Sequence, residues 1–415
     1  IEGDSGVGGG ADTGERFGAS VAGFDVNRDG CGDLAVGAPF EDVSGVADAG
    51  TVFVVLGSPA GLGGGPAGLV LVQGRDGTPE AAEAGDVFGS AVAAGQSATG
   101  EGYLVIGAPG EDLGSAVDTG VVHYRRGTVN VMLDQSAGGV NETDDRFGAS
   151  VTGSPSHLAA GRPGEEVNGQ TFAGAVSVFS HTAAGAPTFV VDLNQGTGGA
   201  ATGDLMGASV SMAPYRSTAT ATGESVLVVG VPGEDVPAGS TTPVIDAGTA
   251  QLYVIAPSGV TTLAAITKAT ANVTGDPGDG DYFGQRVLVT NLAPDQVSTP
   301  SMIKTVVGVP GQDGDAGADT GAVYVFDWSV APGDTDVVIR RGTGLPGTAA
   351  ATDLIGLSMV ADAVRLYLAG PYGDPGVYAM TWTDLAAGTV AAVQTWRPGV
   401  GAIPPDERAF GAALG

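Results

Sequence analysis

Three short glycine motifs recur along the chain in the same order, and this repetition restricts the possible folds more than any other feature. The first motif is a bulky apolar residue followed by glycine, at Phe17, Phe88, Phe147, Met206, Phe283, Ile355 and Phe410. The second is Gly-x-Pro after an apolar stretch, beginning at Gly37, Gly107, Gly161, Gly230 and Gly308, with a degenerate Ala-Gly-Pro copy at 369–371. The third is a glycine that opens another apolar stretch, at Gly50, Gly120, Gly174, Gly248, Gly321 and Gly376. Such repetition indicates one supersecondary unit that is copied along the chain and packs against its neighbours.

The apolar stretches between these motifs are short and rich in β-branched residues, which is typical of strands. Examples are TVFVVLG at 51–57 and VLVVGVP at 226–232, each bounded by turn-forming residues. Each unit has room for four strands, which in the second unit we place near 88–94, 102–107, 120–125 and 129–134. Four short antiparallel strands per unit, repeated in one array, favour an all-β β-propeller in which each unit is a blade.

The motifs divide the chain into six complete four-stranded units and a remainder. The units lie near 17–87, 88–146, 147–205, 206–282, 283–354 and 355–409. Residues 410–415 carry a seventh copy of the first motif, with room for only one orphan inner strand. Residues 1–16 are polar and rich in glycine. We therefore predict a flexible N-terminal segment over 1–16 and a single propeller domain over 17–415.

One loop in the first unit carries a pattern typical of metal binding. Residues 25–33, DVNRDGCGD, place carboxylate or amide side chains at alternate positions, which point inward in a curled loop. Several hard, partly anionic oxygen ligands in a flexible loop are what Ca²⁺ requires. The predicted ligands are Asp25, Asn27, Asp29, Cys31 through its backbone carbonyl, and Asp33.

The alternative interpretation of this loop is an Asx-rich turn whose side chains bond only to their own backbone. Repulsion among three neighbouring carboxylates favours an ion between them. The corresponding loops of the other units do not have four oxygen-bearing side chains at this spacing; the second unit, for example, reads AAGQSATGEGYLVIG at 93–107. We therefore expect one Ca²⁺ with a structural role, because ion binding adds to folding stability.

Acidic residues accompany two of the motifs. One set follows Gly-x-Pro and comprises Glu41, Asp42, Glu111, Asp112, Glu165, Glu166, Glu234, Asp235 and Asp313. The other set precedes the first motif by two residues and comprises Glu15, Asp86, Asp145, Asp204, Asp281 and Asp353. We expect both sets at one mouth of the propeller, opposite the calcium loop. Either they accept backbone N–H bonds in tight turns, or they form an acidic rim that selects cationic or metal-bridged ligands.

Composition excludes several classes of function. The net charge is −30, from 46 acidic and 16 basic residues, so no basic surface is available for nucleic acid or an anionic membrane. No apolar run reaches the length of a membrane span, and no signal peptide is visible. The single cysteine, Cys31, excludes an internal disulfide and a multi-cysteine zinc site. We expect a monomer.

The Phe-Gly and Gly-Ala-Pro motifs, with the acidic loop between them, resemble FG-GAP repeats from about Phe17 to Phe410. The resemblance implies the β-propeller of integrin α-subunits and of related bacterial extracellular proteins, which normally has seven blades. It also implies that the DxNxDGxxD loop holds calcium. The expected function is that of a secreted or cell-surface binding module whose acidic loop face takes a protein or glycan ligand.

A propeller enzyme is the second hypothesis, namely a hydrolase or lyase that acts on a glycan or a small metabolite at the mouth of the channel. Related folds host both kinds of function, so the fold does not choose between them. His123, His157 and His181 are isolated in the sequence, and no nucleophile with a base or phosphate-binding loop is evident. No catalytic residue is therefore predicted.

Overall fold

The computed structural model describes residue 10 and residues 14–237, 242–328, 331–401, 403–405 and 410–415. Two compact units are present, Ile1–Thr202 with Gly415 and Gly203–Leu414. Each contains three antiparallel sheets, which we number blades 1 to 6 in chain order. Most of the predicted N-terminal segment, residues 1–9 and 11–13, lies outside the described residues.

The first unit holds blades 1 to 3, and in each blade the strands lie side by side in chain order. The strands are β1 (Ser20–Phe24), β2 (Asp33–Ala38), β3 (Thr51–Val55) and β4 (Leu69–Leu71) in blade 1; β5 (Ala91–Gln96), β6 (Gly102–Ala108), β7 (Val121–Arg126) and β8 (Val129–Leu133) in blade 2; and β9 (Ser150–Gly153), β10 (His157–Arg162), β11 (Ala175–Ser180) and β12 (Thr188–Leu193) in blade 3. A 3₁₀ helix at Gln135–Ala137 follows β8.

The second unit holds blades 4 to 6. The strands are β13 (Ser209–Tyr215), β14 (Glu224–Val231), β15 (Thr249–Ala256) and β16 (Gly259–Ile266) in blade 4; β17 (Arg286–Asn291), β18 (Ile303–Val309), β19 (Ala322–Asp327), β20 (Val337–Arg341) and a short parallel β21 (Gly344–Leu345) in blade 5; and β22 (Ser358–Ala361), β23 (Arg365–Gly370), β24 (Gly376–Thr381) and β25 (Gln394–Trp396) in blade 6. Helical turns are confined to 3₁₀ helices at Pro300–Met302 and Pro332–Asp334 and to α1 (Trp382–Ala386), in the residues described for this unit. Thr381 caps α1 by accepting the N–H of Asp384.

These sheets confirm the all-β fold class, a six-bladed β-propeller of four-stranded antiparallel blades. The predicted orphan strand is wrong, since residues 410–415 are turn and irregular backbone. This segment has no β-branched residue and two glycines, which favours a turn over a strand. Its Gly411 packs against Ala369 and Val377 of blade 6, so the motif is used there as a packing contact.

The third motif contains glycine because neighbouring blades approach each other there. Gly50 has a φ of 85°, and a Cβ built on it would lie 2.2 Å from the carbonyl oxygen of Phe88 in the next blade. Gly120 makes the same approach to Phe147. Only a residue without a side chain permits both this conformation and this distance.

The hydrophobic core within each unit lies between adjacent blades. Phe24 and Val52 of blade 1 pack with Leu104 and Ile106 of blade 2, together with the fully buried Phe88. Burial of each such large side chain stabilises the folded state by about 1.5–3 kcal/mol, because apolar surface is removed from water. Within the described part of the chain, no helix has the length and hydrophobicity to cross a bilayer.

Candidate functional site

Two loops lie side by side wherever one blade leads into the next within a unit. The N–H groups of Gly85, Val87 and Phe88, before blade 2, donate to the carbonyls of residues 47, 48 and 49 in the loop between β2 and β3. The same three bonds recur before blade 3, blade 5 and blade 6. The loop after Gly-x-Pro and the loop before the first motif therefore lie at the same end of each of these blades.

The acids that follow Gly-x-Pro close the turn of their own loop. Asp42 Oδ1 accepts the N–H of Asp48 at 3.0 Å, and Asp112 Oδ1 accepts the N–H of Asp118 at 2.9 Å. Asp235 and Asp313 make the equivalent bonds in blades 4 and 5. These geometries support the turn-capping interpretation. The carboxylates are nevertheless exposed, so these loops present negative charge to solvent.

The acids that precede the first motif do not contribute to an exposed rim. Asp86, Asp145, Asp281 and Asp353 are at most 3% exposed. Each accepts the N–H of the residue three positions earlier, at 2.6 to 2.8 Å. The expectation that both acidic sets surround one mouth of the propeller is therefore corrected for these four residues, whose carboxylates are buried between blades. It is corrected also for three further acids of these sets that are buried, namely Glu15, Asp204 and Glu111.

Burial changes the ionisation of two carboxyl groups at the junction of blades 1 and 2. Burial raises the pKa of Glu111 to about 8, and the neighbouring Asp86 adds to the effect. Burial also raises the pKa of Asp86 to about 6, against the bond from the N–H of Glu83, which lowers it. These groups bind protons near neutral pH because the charged form is poorly solvated.

A cavity of about 530 Å³ opens between the two loops of blade 5. Asp313 and Asp315 contribute from the loop after Gly-x-Pro, Arg340 from the end of β20, and Thr348 from the loop that leads to blade 6. Charges of both signs thus face one recess. Its volume falls within the range of small-ligand sites, and its mixed polar lining can orient a charged group.

The predicted calcium loop connects β1 to β2 and is folded around its own side chains. Asp25 accepts the N–H groups of Asp29 and Gly30 at 3.2 and 3.1 Å, and Asn27 accepts the N–H of Asp29 at 3.0 Å. Asp29 accepts the N–H of Cys31 at 2.8 Å, and this bond, followed by one from Asn27, lowers the pKa of Asp29. The loop has the geometry of an Asx turn, as the alternative interpretation describes.

Asp33 has a different position from the other predicted ligands. It is 2% exposed, and its two oxygens accept the N–H groups of Val26 at 2.7 Å and Gly57 at 2.8 Å. It therefore ties the start of the loop to the end of β3. Among the described residues, no three His, Cys, Asp or Glu side chains are grouped as a metal site.

The donor chemistry of this loop still fits a hard cation. Asp25, Asn27 and Asp29 all direct their oxygens into the curl of the loop, where they accept backbone N–H bonds. A carboxylate oxygen that accepts one such bond retains a second lone pair. The carbonyl of Cys31 belongs to the same exposed turn. These groups are the kind that hold Ca²⁺.

Sequence reasoning missed the residues that face the buried acids, namely Gln73, Gln135, Lys268 and Arg341. Each comes just after, or at the end of, the fourth strand of a blade, where the sequence shows no common residue type. The signal was positional: Gln73 and Lys268 both lie 13 residues before the buried aspartate.

The histidines lie in blades 2 and 3 and are packed. His123 is 2% exposed and lies edge-on to Phe88, with ring centroids 5.1 Å apart. His181 Nδ1 bonds to the hydroxyl of Tyr124 at 2.8 Å, and its Nε2 lies 3.1 Å from the carbonyl of Ser154. Burial lowers the pKa of all three histidines, His157 included, to about 4.

Known proteins resemble parts of this chain. A family model described as FG-GAP repeat matches residues 17–55, which contain β1 to β3 and the predicted calcium loop. Integrin alpha-PS5 of Drosophila melanogaster is 40% identical over 103 residues, which cover 24% of this chain and 9% of the relative. Integrin alpha-5 of Xenopus laevis is 34% identical over 124 residues, which cover 29% of this chain and 10% of the relative.

The match thus spans about a tenth of the length of these curated relatives. The family-model match lies in blade 1, and its motifs and strand order recur in the other blades. The FG-GAP match and the similarity to integrin α chains, together with the six blades, support an integrin-α-like FG-GAP β-propeller.

Proposed function

We propose that this chain is an extracellular interaction module whose loops bind a protein partner. The observation that carries the proposal is the cavity of blade 5, which lies between two loops, one of which presents the exposed carboxylates of Asp313 and Asp315. Exposed, rigidly anchored loops are a common location for binding residues. The similarity to integrin alpha chains supports an extracellular location and a protein ligand.

A binding experiment tests this role. Immobilised full-length chain is exposed to panels of extracellular-matrix proteins and glycans, and binding is followed by surface plasmon resonance. Replacement of Arg340 and Asp315 by alanine should weaken binding at least tenfold, since both line the cavity. The matched control is Asp295→Ala, an exposed acid of blade 5 outside the cavity. Equal binding by the wild type, the protein with Arg340 and Asp315 replaced and the Asp295→Ala control would count against the cavity as the binding site.

We also propose that Ca²⁺ binds the loop from Asp25 to Asp33 and stabilises blade 1. The support is its donor set and the inward direction of its oxygens. Asp25, Asn27, Asp29 and Asp33 would hold the ion with their side chains and Cys31 with its carbonyl. A bound ion would offset the repulsion of the carboxylates and resist opening of the loop.

The test of the loop is a thermal melt with Ca²⁺ and with a chelator. Wild-type protein should melt several degrees higher with Ca²⁺, by linkage of binding to folding. Asp29→Ala should remove most of that difference, because Asp29 is exposed and serves the loop alone. Exposed Asp76→Ala is the control. An equal melting temperature of the wild-type protein with Ca²⁺ and with chelator would refute the proposal.

A further inference from the structure

Four junctions between successive blades lie within the two units, and each contains a buried aspartate. These are Asp86 between blades 1 and 2, Asp145 between blades 2 and 3, Asp281 between blades 4 and 5, and Asp353 between blades 5 and 6. A buried carboxylate is stable in its charged form only when a cation or several hydrogen bonds compensate for lost water. The compensation therefore has to be found at each junction.

One position just after, or at the end of, the fourth strand faces a buried acid in all four junctions: Glu111 in the first junction, and the aspartate in the other three. Strand pairing defines it: Leu71, Leu133, Ile266 and Ile339 each lie opposite the residue two after the third-motif glycine. Two residues further along the chain are Gln73, Gln135, Lys268 and Arg341, respectively. These four residues are thus structurally equivalent.

In the second unit this position is a cation. Lys268 Nζ lies 2.9 Å from Asp281 Oδ2, and both side chains are about 95% buried or more. Arg341 Nε lies 3.0 Å from Asp353 Oδ2, with both side chains 1% exposed. Each buried aspartate in these two junctions therefore has a positive charge in contact.

The junction of blades 2 and 3 obtains its cation from another position. Gln135 donates to Asp145, while Arg162, the central residue of the Gly-Arg-Pro motif, pairs with Glu165 at 3.0 Å. Arg162 also pairs with Asp192 at 3.1 Å. Burial raises the pKa of Asp145, and the positive charge of Arg162 acts against this shift.

At the junction of blades 1 and 2, the described residues include buried acidic side chains but no Lys or Arg paired with them. Gln73 Nε2 donates to Glu111 Oε2 at 2.5 Å, and the N–H of Gly110 donates to the carbonyl of Asp86 at 3.2 Å, so the two acids are neighbours. Gln73, Asp86 and Glu111 are each at most 3% exposed. Among the described residues, no Lys or Arg pairs with these carboxylates, and the other charges that act on them are Glu80, Glu83 and Asp112.

Two buried polar groups at this junction also have no partner. Oε1 of Gln73 accepts no hydrogen bond. Both ring nitrogens of His123 are likewise unpartnered. His123 is equivalent to Tyr324, whose hydroxyl donates to Gln312 Oε1 at 3.1 Å, and Gln312 is the residue of blade 5 that corresponds to Glu111. Each ring lies against the first-motif phenylalanine of its blade.

We propose that a Ca²⁺ ion from solution supplies the missing positive charge between blades 1 and 2. Its protein ligands are the carboxylates of Asp86 and Glu111 and the amide oxygen of Gln73, with water in the remaining positions. All are hard oxygen ligands, and two carboxylates balance one divalent charge. The exposed Glu80 and Glu83 stand at the approach and raise the local concentration of cations.

The key variant is Gln73→Lys, which copies Lys268 and builds the cation into the protein. Ca²⁺ binding is measured by equilibrium dialysis on the full chain. Wild-type protein should bind one ion more than Gln73→Lys. The matched control is Gln135→Lys, the equivalent change at a junction that already holds Arg162, and it should bind as many ions as wild type. A Gln73→Lys protein with the full wild-type number of ions overturns the proposal.

A second measurement separates this site from the loop of Asp25–Asp33. Asp25→Ala combined with Asp29→Ala removes the loop ligands; this protein should retain one Ca²⁺, and addition of Gln73→Lys should abolish it. The inference is wrong if the loop variant retains no ion, or if the stability of the junction responds to protons but not to Ca²⁺. Neither result affects the loop proposal.

Discussion

A Cβ built on Gly37 would lie 2.0 Å from the carbonyl oxygen of Gly89. Gly37 begins the second motif of blade 1, and Gly89 ends the first motif of blade 2. The two motifs therefore meet in a single backbone-to-backbone contact. The same 2.0 Å distance recurs for Gly107 with Gly148, Gly230 with Gly284, and Gly308 with Gly356.

The first prediction concerns this contact. Gly107→Ala should destabilise the protein by about 3 kcal/mol or more, because backbone on both sides has to move apart. Gly23→Ala is the control, since a Cβ there meets nothing within 4 Å. Urea denaturation measures both. Equal stability of the two variants would show that the blades adjust without cost.

The second prediction concerns the buried ion pair of Lys268 and Asp281. Lys268→Met should cost about 3–5 kcal/mol at pH 8, because it leaves a buried charge without its partner. The exposed pair of Arg397 and Asp374 is the comparison, and Arg397→Met should cost less than about 1 kcal/mol. Chemical denaturation at pH 8 measures both variants, and an equal cost of the two would contradict the role of burial.

The third prediction separates Asp33 from the other loop acids. In chelator, Asp33→Ala should lose about 1–3 kcal/mol, because the buried N–H of Gly57 then has no acceptor. Asp29→Ala should lose less stability than Asp33→Ala under the same conditions, because its bonds are exposed. Thermal melts in chelator measure both. The order would reverse if Asp33 acted only through a bound ion.

The fourth prediction concerns pH, with chelator present. The raised pKa values of Glu111 (about 8), Glu165 (about 7) and Asp86 (about 6) mean that the folded state holds more protons than the unfolded state above pH 4.5. Stability from these groups is therefore lost as pH rises toward 8. The three histidines act oppositely: with folded pKa values of about 4, they add stability as pH rises from 4 to 6.5.

The two effects roughly offset each other between pH 4.5 and 6.5, and only the acids act above that range. Stability should thus be nearly flat to pH 6.5 and then fall by on the order of a few kcal/mol to pH 8. Denaturation series across pH measure this profile. Glu111→Gln, which copies Gln312 of blade 5, should flatten the decline; an unchanged decline would assign it to other groups.

Much of the fold follows from local pattern. The motifs place four strands per unit, and β6 and β8 lie where the sequence predicts them. The first strand of blade 2 begins at Ala91 instead of 88, because Phe88 and Gly89 form the turn that contacts the preceding blade. The sequence of a single repeat carries no signal for an inter-blade contact of this kind.

The candidate sites divide in the same way. Ligand spacing in the calcium loop is local, so Asp25, Asn27 and Asp29 meet in one turn as the pattern indicates. Asp33 instead bonds to Gly57, which is 24 residues away in the sequence, and Gln73 of blade 1 bonds to Glu111 of blade 2. Those partners depend on strand register and blade packing.

By itself the sequence determined the repeat, its strand content, the acidic character of the loops and the chemistry available in the calcium loop. These properties depend on side-chain periodicity, turn residues and charge, which act over a few residues. Only the tertiary structure decided which acids are buried and which of them lack a cation. Burial and charge compensation arise when blades pack together, so one position bonds as Lys268 to a buried aspartate in one junction and as Gln73 to a buried glutamate in another.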